Sequence, residues 1–207
     1  MSTIKKIAYS LGERGEVPNQ ILARELTETE DKDGIREVAY HLFDENQSIA
    51  SDCIKVLYEI GYLKPELITT YVDDFIRLLD SKSNRMVWGA MIALSTIVPV
   101  VPQEIHPVLP KIRHHIETGT VITNVSGVRT IVRLAGADES YYAELIKEIF
   151  ELQTSCRNTD FAKRAEDIIP ILKEADKQPF KSVLEKRLPH LSKNAQKRVI
   201  RVIRKLS

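Results

Sequence analysis

The chain has 207 residues, 43% of them hydrophobic, with only 8 glycines and 9 prolines, a composition that supports a packed core and excludes a disordered polymer. No apolar run reaches the roughly 18 to 20 residues of a membrane span, because the longest, 90–101, is broken by Ser95, Thr96 and Pro99. The formal charge of +1 hides a dipole: residues 1–103 carry 11 basic and 16 acidic side chains, and residues 104–207 carry 19 and 13.

The first stretch, MSTIKKIAYSLGERGE, lacks the apolar segment of a secretory signal. Cys53 and Cys156 are too few for a disulfide framework, so a reducing, cytoplasmic location is expected. From there on, apolar residues recur at helical spacing and nowhere alternate with period two, which predicts an all-α chain. Turn residues divide it at Gly12 to Gly15, Lys32 to Gly34, Gly61 to Pro65, Asp80 to Ser83, Pro99 to Pro102, Gly119, Gly136 to Asp138, and Lys177 to Pro179. About twelve helices follow, in six antiparallel pairs joined by short loops.

The pairs repeat. Leu57, Leu94, Ile131 and Ile168 stand 37 residues apart, and Ile60, Ile97, Leu134 and Ile171 keep the same step on one helical face. Preceding helices repeat in parallel, with Val72, Leu109, Ile146 and Val183 as one ladder. Cys53, Ala90 and Gly127 form a small-residue rung suited to close helix approach, and Arg164 breaks it. Upstream the step shortens to 33, so residues 1–30 are expected to be an atypical cap, 31–176 the core repeats, and 177–207 a basic capping repeat of a single domain, 1–207.

The period, the paired helices and the segment NRMVWGAMIAL (84–94) together resemble HEAT repeats, or the related armadillo-type units, over roughly residues 31–206. HPVLPKI (106–112) is similar to the proline-containing first helix of such units, where Pro110 would bend the helix by removing a backbone donor. The regular Asp and Arg ladder that many HEAT proteins carry is missing. The resemblance implies a short, curved, right-handed α-solenoid that binds through its concave surface.

That surface would carry the rows opposite the buried rungs: Ser48, Asp52, Lys55 and Glu59; Arg85, Gly89, Ile92 and Thr96; Ile122, Ser126, Arg129 and Arg133; Thr159, Lys163, Glu166 and Pro170. Arg129 and Arg133 lie one turn apart, so an anion between them, or acids on a neighbouring helix such as Glu166, would offset their repulsion. Trp88, the lone tryptophan, either anchors a peptide or packs between repeats. The last helix, 193–206, sets Val199, Val202 and Leu206 against Lys197, Arg198, Arg201, Arg204 and Lys205, a pattern that caps an array or binds an acidic partner.

Chemistry is sparse by comparison. The five histidines show no metal-binding spacing, no phosphate loop or nucleophile motif occurs, and neither metal nor cofactor is expected. The leading expectation is therefore a non-enzymatic scaffold for a protein or peptide, with Arg85, Trp88, Arg129, Arg133, Lys163, Lys197, Arg198 and Arg201 as contacts. A second is nucleic-acid binding through residues 177–207. The HEAT resemblance also implies an enzymatic variant, since some alkylpurine DNA glycosylases use such repeats, with Asp52 as the acid to test. Oppositely charged halves also allow a salt-sensitive homo-oligomer.

Overall fold

A computed structural model describes residues 2–206, and among them no strand occurs. The helices are α1 (Val17–Glu28), α2 (Lys32–Tyr40), α3 (Gln47–Leu63), α4 (Val72–Leu78), α5 (Asn84–Ile97), α6 (Pro102–Ile105), α7 (Leu109–Thr118), α8 (Val121–Ala135), α9 (Glu139–Ser155), α10 (Asn158–Ile168), α11 (Glu174–Arg187) and α12 (Lys193–Lys205). Short 3-10 turns at Thr3–Lys6, His41–Phe43, Pro65–Tyr71, His106–Val108, Ile169–Ile171 and Leu188–His190 join or extend them. The chain divides into two compact units, Met1–Thr130 and Ile131–Ser207.

In the first unit α3 packs between α1 and α5, and α2 and the turn Pro65–Tyr71 cover its other side. The helix starts follow local chemistry. Asp31 accepts the Gly34 amide at 2.9 Å, and Asn46 accepts that of Ser48 at 3.0 Å, each satisfying a donor that the first turn leaves unpaired. The repeat rungs Leu57, Ile60, Leu94 and Ile97 are fully buried, with Ile68 and Phe75 of the covering layer beside them. Gly61 lets that layer close, because a Cβ there would run into the Thr96 hydroxyl and Ile68. Gly61→Ala is expected to lower stability by about 1–3 kcal/mol, read as a drop in urea midpoint at constant m-value.

Pro110 does not bend a helix. The break falls upstream, at His106–Val108, which holds Pro107, and Pro110 sits in the first turn of α7 where an amide proton has no intrahelical acceptor.

In the second unit α10 packs on α12 and on α9, and α11 lies against α12. Asp138 starts α9 and Ser192 starts α12 through side-chain bonds to Ser140 and Ala195. The expected turn at Lys177 to Pro179 is instead the interior of α11, which begins at Glu174. Pro179 deletes one bond, to the carbonyl of Ala175, and both residues are exposed, so the loss falls on the solvent side of the helix. Arg164 shows what breaks the small-residue rung. Its guanidinium turns back, largely buried, and donates from Nη1 to the Leu152 carbonyl at 2.8 Å. Arg187 of α11 closes the same corner, bonding the carbonyls of Thr154 and Cys156 and the amide oxygen of Asn158.

Candidate functional site

The rows expected to face solvent are closed in part, most of all on α5, while Ser48, Ile122, Thr159, Lys163 and Pro170 are exposed. Lys55 is only 4% exposed, Ile92, Thr96 and Ser126 are buried, and from Gly89 to Val98 no residue of α5 or its end reaches solvent. A helix flanked on both sides and covered below keeps only a narrow open stripe, narrower than a single buried face implies. The Ser95 and Thr96 hydroxyls turn inward to the carbonyls of Ile92 and Ala93, so their burial leaves no donor unpaired.

What stays open lies where α3 and the first turn of α5 meet the start of α1. Trp88 is half-buried, its ring 6.2 Å from that of Tyr58, which in turn lies 6.1 Å from Tyr62. The Arg85 guanidinium stacks 4.2 Å over Trp88 and bonds Glu16 at 3.0 Å. Glu16 also reaches the Lys55 ammonium at 2.8 Å, and Glu59, one turn along α3, takes the same ammonium at 2.6 Å. Lys55 sits 4.8 Å from the Tyr58 ring centre. Three aromatic rings thus form a row in which Tyr58 is only 4% exposed between the more open Trp88 and Tyr62, and two cations and two carboxylates brace Trp88 and Tyr58.

Charge sets the protonation of this cluster. The bond from Lys55, with a further one from Arg85, holds the Glu16 carboxyl below the usual carboxylate range despite some burial. Burial by itself would lower the Lys55 ammonium, but Glu16 and Glu59 outweigh it and push the group up. Lys55 therefore stays charged, and it can be buried only because both partners are present.

The other sequence candidates scatter. Arg129 and Arg133 are half-buried on α8, and each has partners. Glu166 accepts Nε and Nη2 of Arg198, at 2.8 and 2.6 Å, while Lys163 pairs with Asp167 at 2.8 Å. Lys197 and Arg201 extend into solvent. Asp52 is not free to act beside Trp88: one carboxylate oxygen accepts the Tyr9 amide at 2.7 Å and the other the Asn19 side chain at 2.7 Å, pinning the amino-terminal segment. Of the eight proposed contacts, Arg85 and Trp88 meet in this cluster, and Lys197 and Arg201 share one exposed side of α12. Sequence reading missed Glu16 and the aromatic partners Tyr58 and Tyr62; the spacing of Lys55 and Glu59 along one helix was the available sign of the network.

An open depression of about 780 Å³ on the covering layer of the first unit holds the well-exposed Tyr40 and Phe43, with Arg77 stacked 3.5 Å from the Phe43 ring. Several of its charges are paired: His41 meets Asp44 at 2.8 Å, Arg36 meets Asp33 and Arg77 meets Asp74. Burial pushes both thiols up, the unreactive direction. Among the described residues no cluster of His, Cys, Asp and Glu has the geometry to hold a metal, and no helix is long and apolar enough to cross a membrane.

No protein-family model matches this chain, and no curated protein does. Solved structures do. An engineered protein from a structural genomics consortium aligns with a TM-score of 0.65 at 15% identity, covering 100% of this chain and 97% of its own. A designed armadillo repeat protein in complex with the peptide (KR)4 gives the same score and identity over 90% and 86%. Computationally designed armadillo repeat proteins for modular peptide recognition align at 0.62 and 14%, covering 99% and 98%. At such identity the likeness concerns the fold, which is an armadillo-like helical repeat.

Proposed function

We propose that this armadillo-like chain is a non-catalytic binding module, taking a protein or peptide segment on the face formed by α3 and the first turn of α5. The observation that carries the reading is the pair of accessible rings Trp88 and Tyr62 packed on the buried Tyr58, with Arg85, Lys55, Glu16 and Glu59 bracing Trp88 and Tyr58. Rigid aromatic rings with a polar surround are the side chains that dominate protein interfaces, since they remove much apolar area from water and lose little conformational freedom. Two structural neighbours are described as peptide binders, which is in keeping with the same use here. Separate reduced thiols suit a cytoplasmic setting.

Tyr62 gives the cleanest test because it is 48% exposed and contributes little to the core. Peptides selected on an array are titrated against the fluorescence of Trp88, the lone tryptophan. Tyr62→Ala is expected to weaken the best peptide about tenfold, roughly 1.4 kcal/mol, with an unchanged melting temperature. Unaltered affinity would place the binding face elsewhere.

A further inference from the structure

Helix α12 gathers a run of exposed cations with few acids to meet them. In the second unit Arg157, Lys163, Lys173 and Lys177 each meet a carboxylate. On α12 only Arg198 does, through Glu166. Lys193, Lys197, Arg201, Arg204 and Lys205 are exposed and make no ion pair among the described residues. No Asp or Glu occurs from Lys186 to Ser207.

We propose that the row Lys193, Lys197, Arg201 and Arg204 is a docking edge for the phosphate backbone of nucleic acid, held without reading of base sequence. The row follows from helix geometry. Successive members stand four, four and three residues apart, so all four lie within about 80° of one another, spaced by roughly 6 Å over about 16 Å of axis. The opposite side, Val199, Val202 and Leu206, is buried in the unit, which leaves the charged side outward. Arg198 is a positioning residue: its two-pronged bond to Glu166 fixes the rotation of α12 on α10.

Like charges one turn apart destabilise a helix, and an anionic polymer relieves that repulsion while releasing its own counterions. The helix dipole accounts for Arg204 and Lys205 in the last turn but opposes Lys193 in the first. The choice between nucleic acid and an acidic protein rests on what the row lacks. A protein partner would be held by apolar and aromatic anchors, and this face offers only Ile200, 37% exposed, with no ring on the helix. Phosphates require cations alone.

The test is fluorescence anisotropy of a labelled 24-base-pair DNA duplex with the full chain in 50 to 200 mM KCl. Four phosphate contacts predict a log–log salt slope of about −3.6, a loss of roughly 100-fold in affinity across that range. Lys197→Gln with Arg201→Gln should reduce the slope by about 2, equally for unrelated sequences, while Lys64→Gln, which removes a cation paired with Glu30, should not change it. Circular dichroism on each variant confirms that the fold is kept. No binding at 50 mM, a slope unmoved by the double variant, or tighter binding of a polyglutamate peptide of equal charge would overturn the proposal; the last result would assign the edge to acidic proteins.

Discussion

Phe161→Ala is expected to destabilise the second unit by about 3–5 kcal/mol. Phe161 is fully buried at the repeat position that Ala50, Val87 and Asn124 hold in earlier pairs, so a phenyl ring fills space that those pairs close by other means. Its carbonyl accepts the Gln153 side chain at 3.1 Å, and Arg187 lies over the ring at 5.6 Å on its way to the Thr154 and Cys156 carbonyls. Removing the ring therefore opens a cavity and loosens the arginine that closes the α9–α10 corner. Urea unfolding followed by circular dichroism should show the loss, while Trp88 fluorescence reports the first unit separately. A shift below about 1 kcal/mol would mean that the corner is held by Arg164 and Arg187 alone.

Lys55→Met should cost about 2–3 kcal/mol at neutral pH. Methionine matches the volume of the aliphatic stem, so packing is kept, but Glu16 and Glu59 then face each other across a buried position without their shared cation. The figure is below that for a fully buried pair because Glu16 is half open to water. The sign with pH follows from Glu16. Its folded carboxyl titrates below its ordinary 4.5, so its contribution is present above that value and is lost as pH falls through the lowered one. The gap between wild type and Lys55→Met should accordingly narrow on acidification below pH 4.5. Glu59→Gln added to Lys55→Met should restore part of the loss, and a double-mutant cycle of these two changes measures their coupling. A constant gap from pH 7 to pH 3.5 would show that the loss does not run through the ionised Glu16.

The periodic part of the fold was readable because it is local. Leu57, Leu94, Ile131 and Ile168 recur at one step and are all fully buried, as are Ile60, Ile97 and Leu134. What the pattern could not convey was how many neighbours each helix has. Lys55, Ile92 and Thr96 lie opposite a buried rung, which reads as solvent, yet flanking helices close over them. A buried lysine is also invisible to local patterning, since its partner Glu16 comes from a distant loop. The same limit applies to the candidate face: Trp88 stood out by rarity and Arg85 by lying nearby, but Tyr58 and Tyr62 resembled ordinary core and surface residues. Arg164 looked like a defect in a small-residue rung and proved to be a cap on the preceding helix.

The division of α5 bears on how such a surface can diversify. From Gly89 onward every side chain is committed to packing, so substitutions there are filtered by stability before any partner is met. Arg85 and Trp88, in the opening turns, and Tyr62 at the end of α3 carry no such burden in full. A lineage or a library could exchange these three for other side chains and change what is recognised while the hydrophobic rungs stay intact. On the proposed binding role, the first unit would pair a fixed packing frame with a small exchangeable face, so that recognition could drift faster than the packing beneath it.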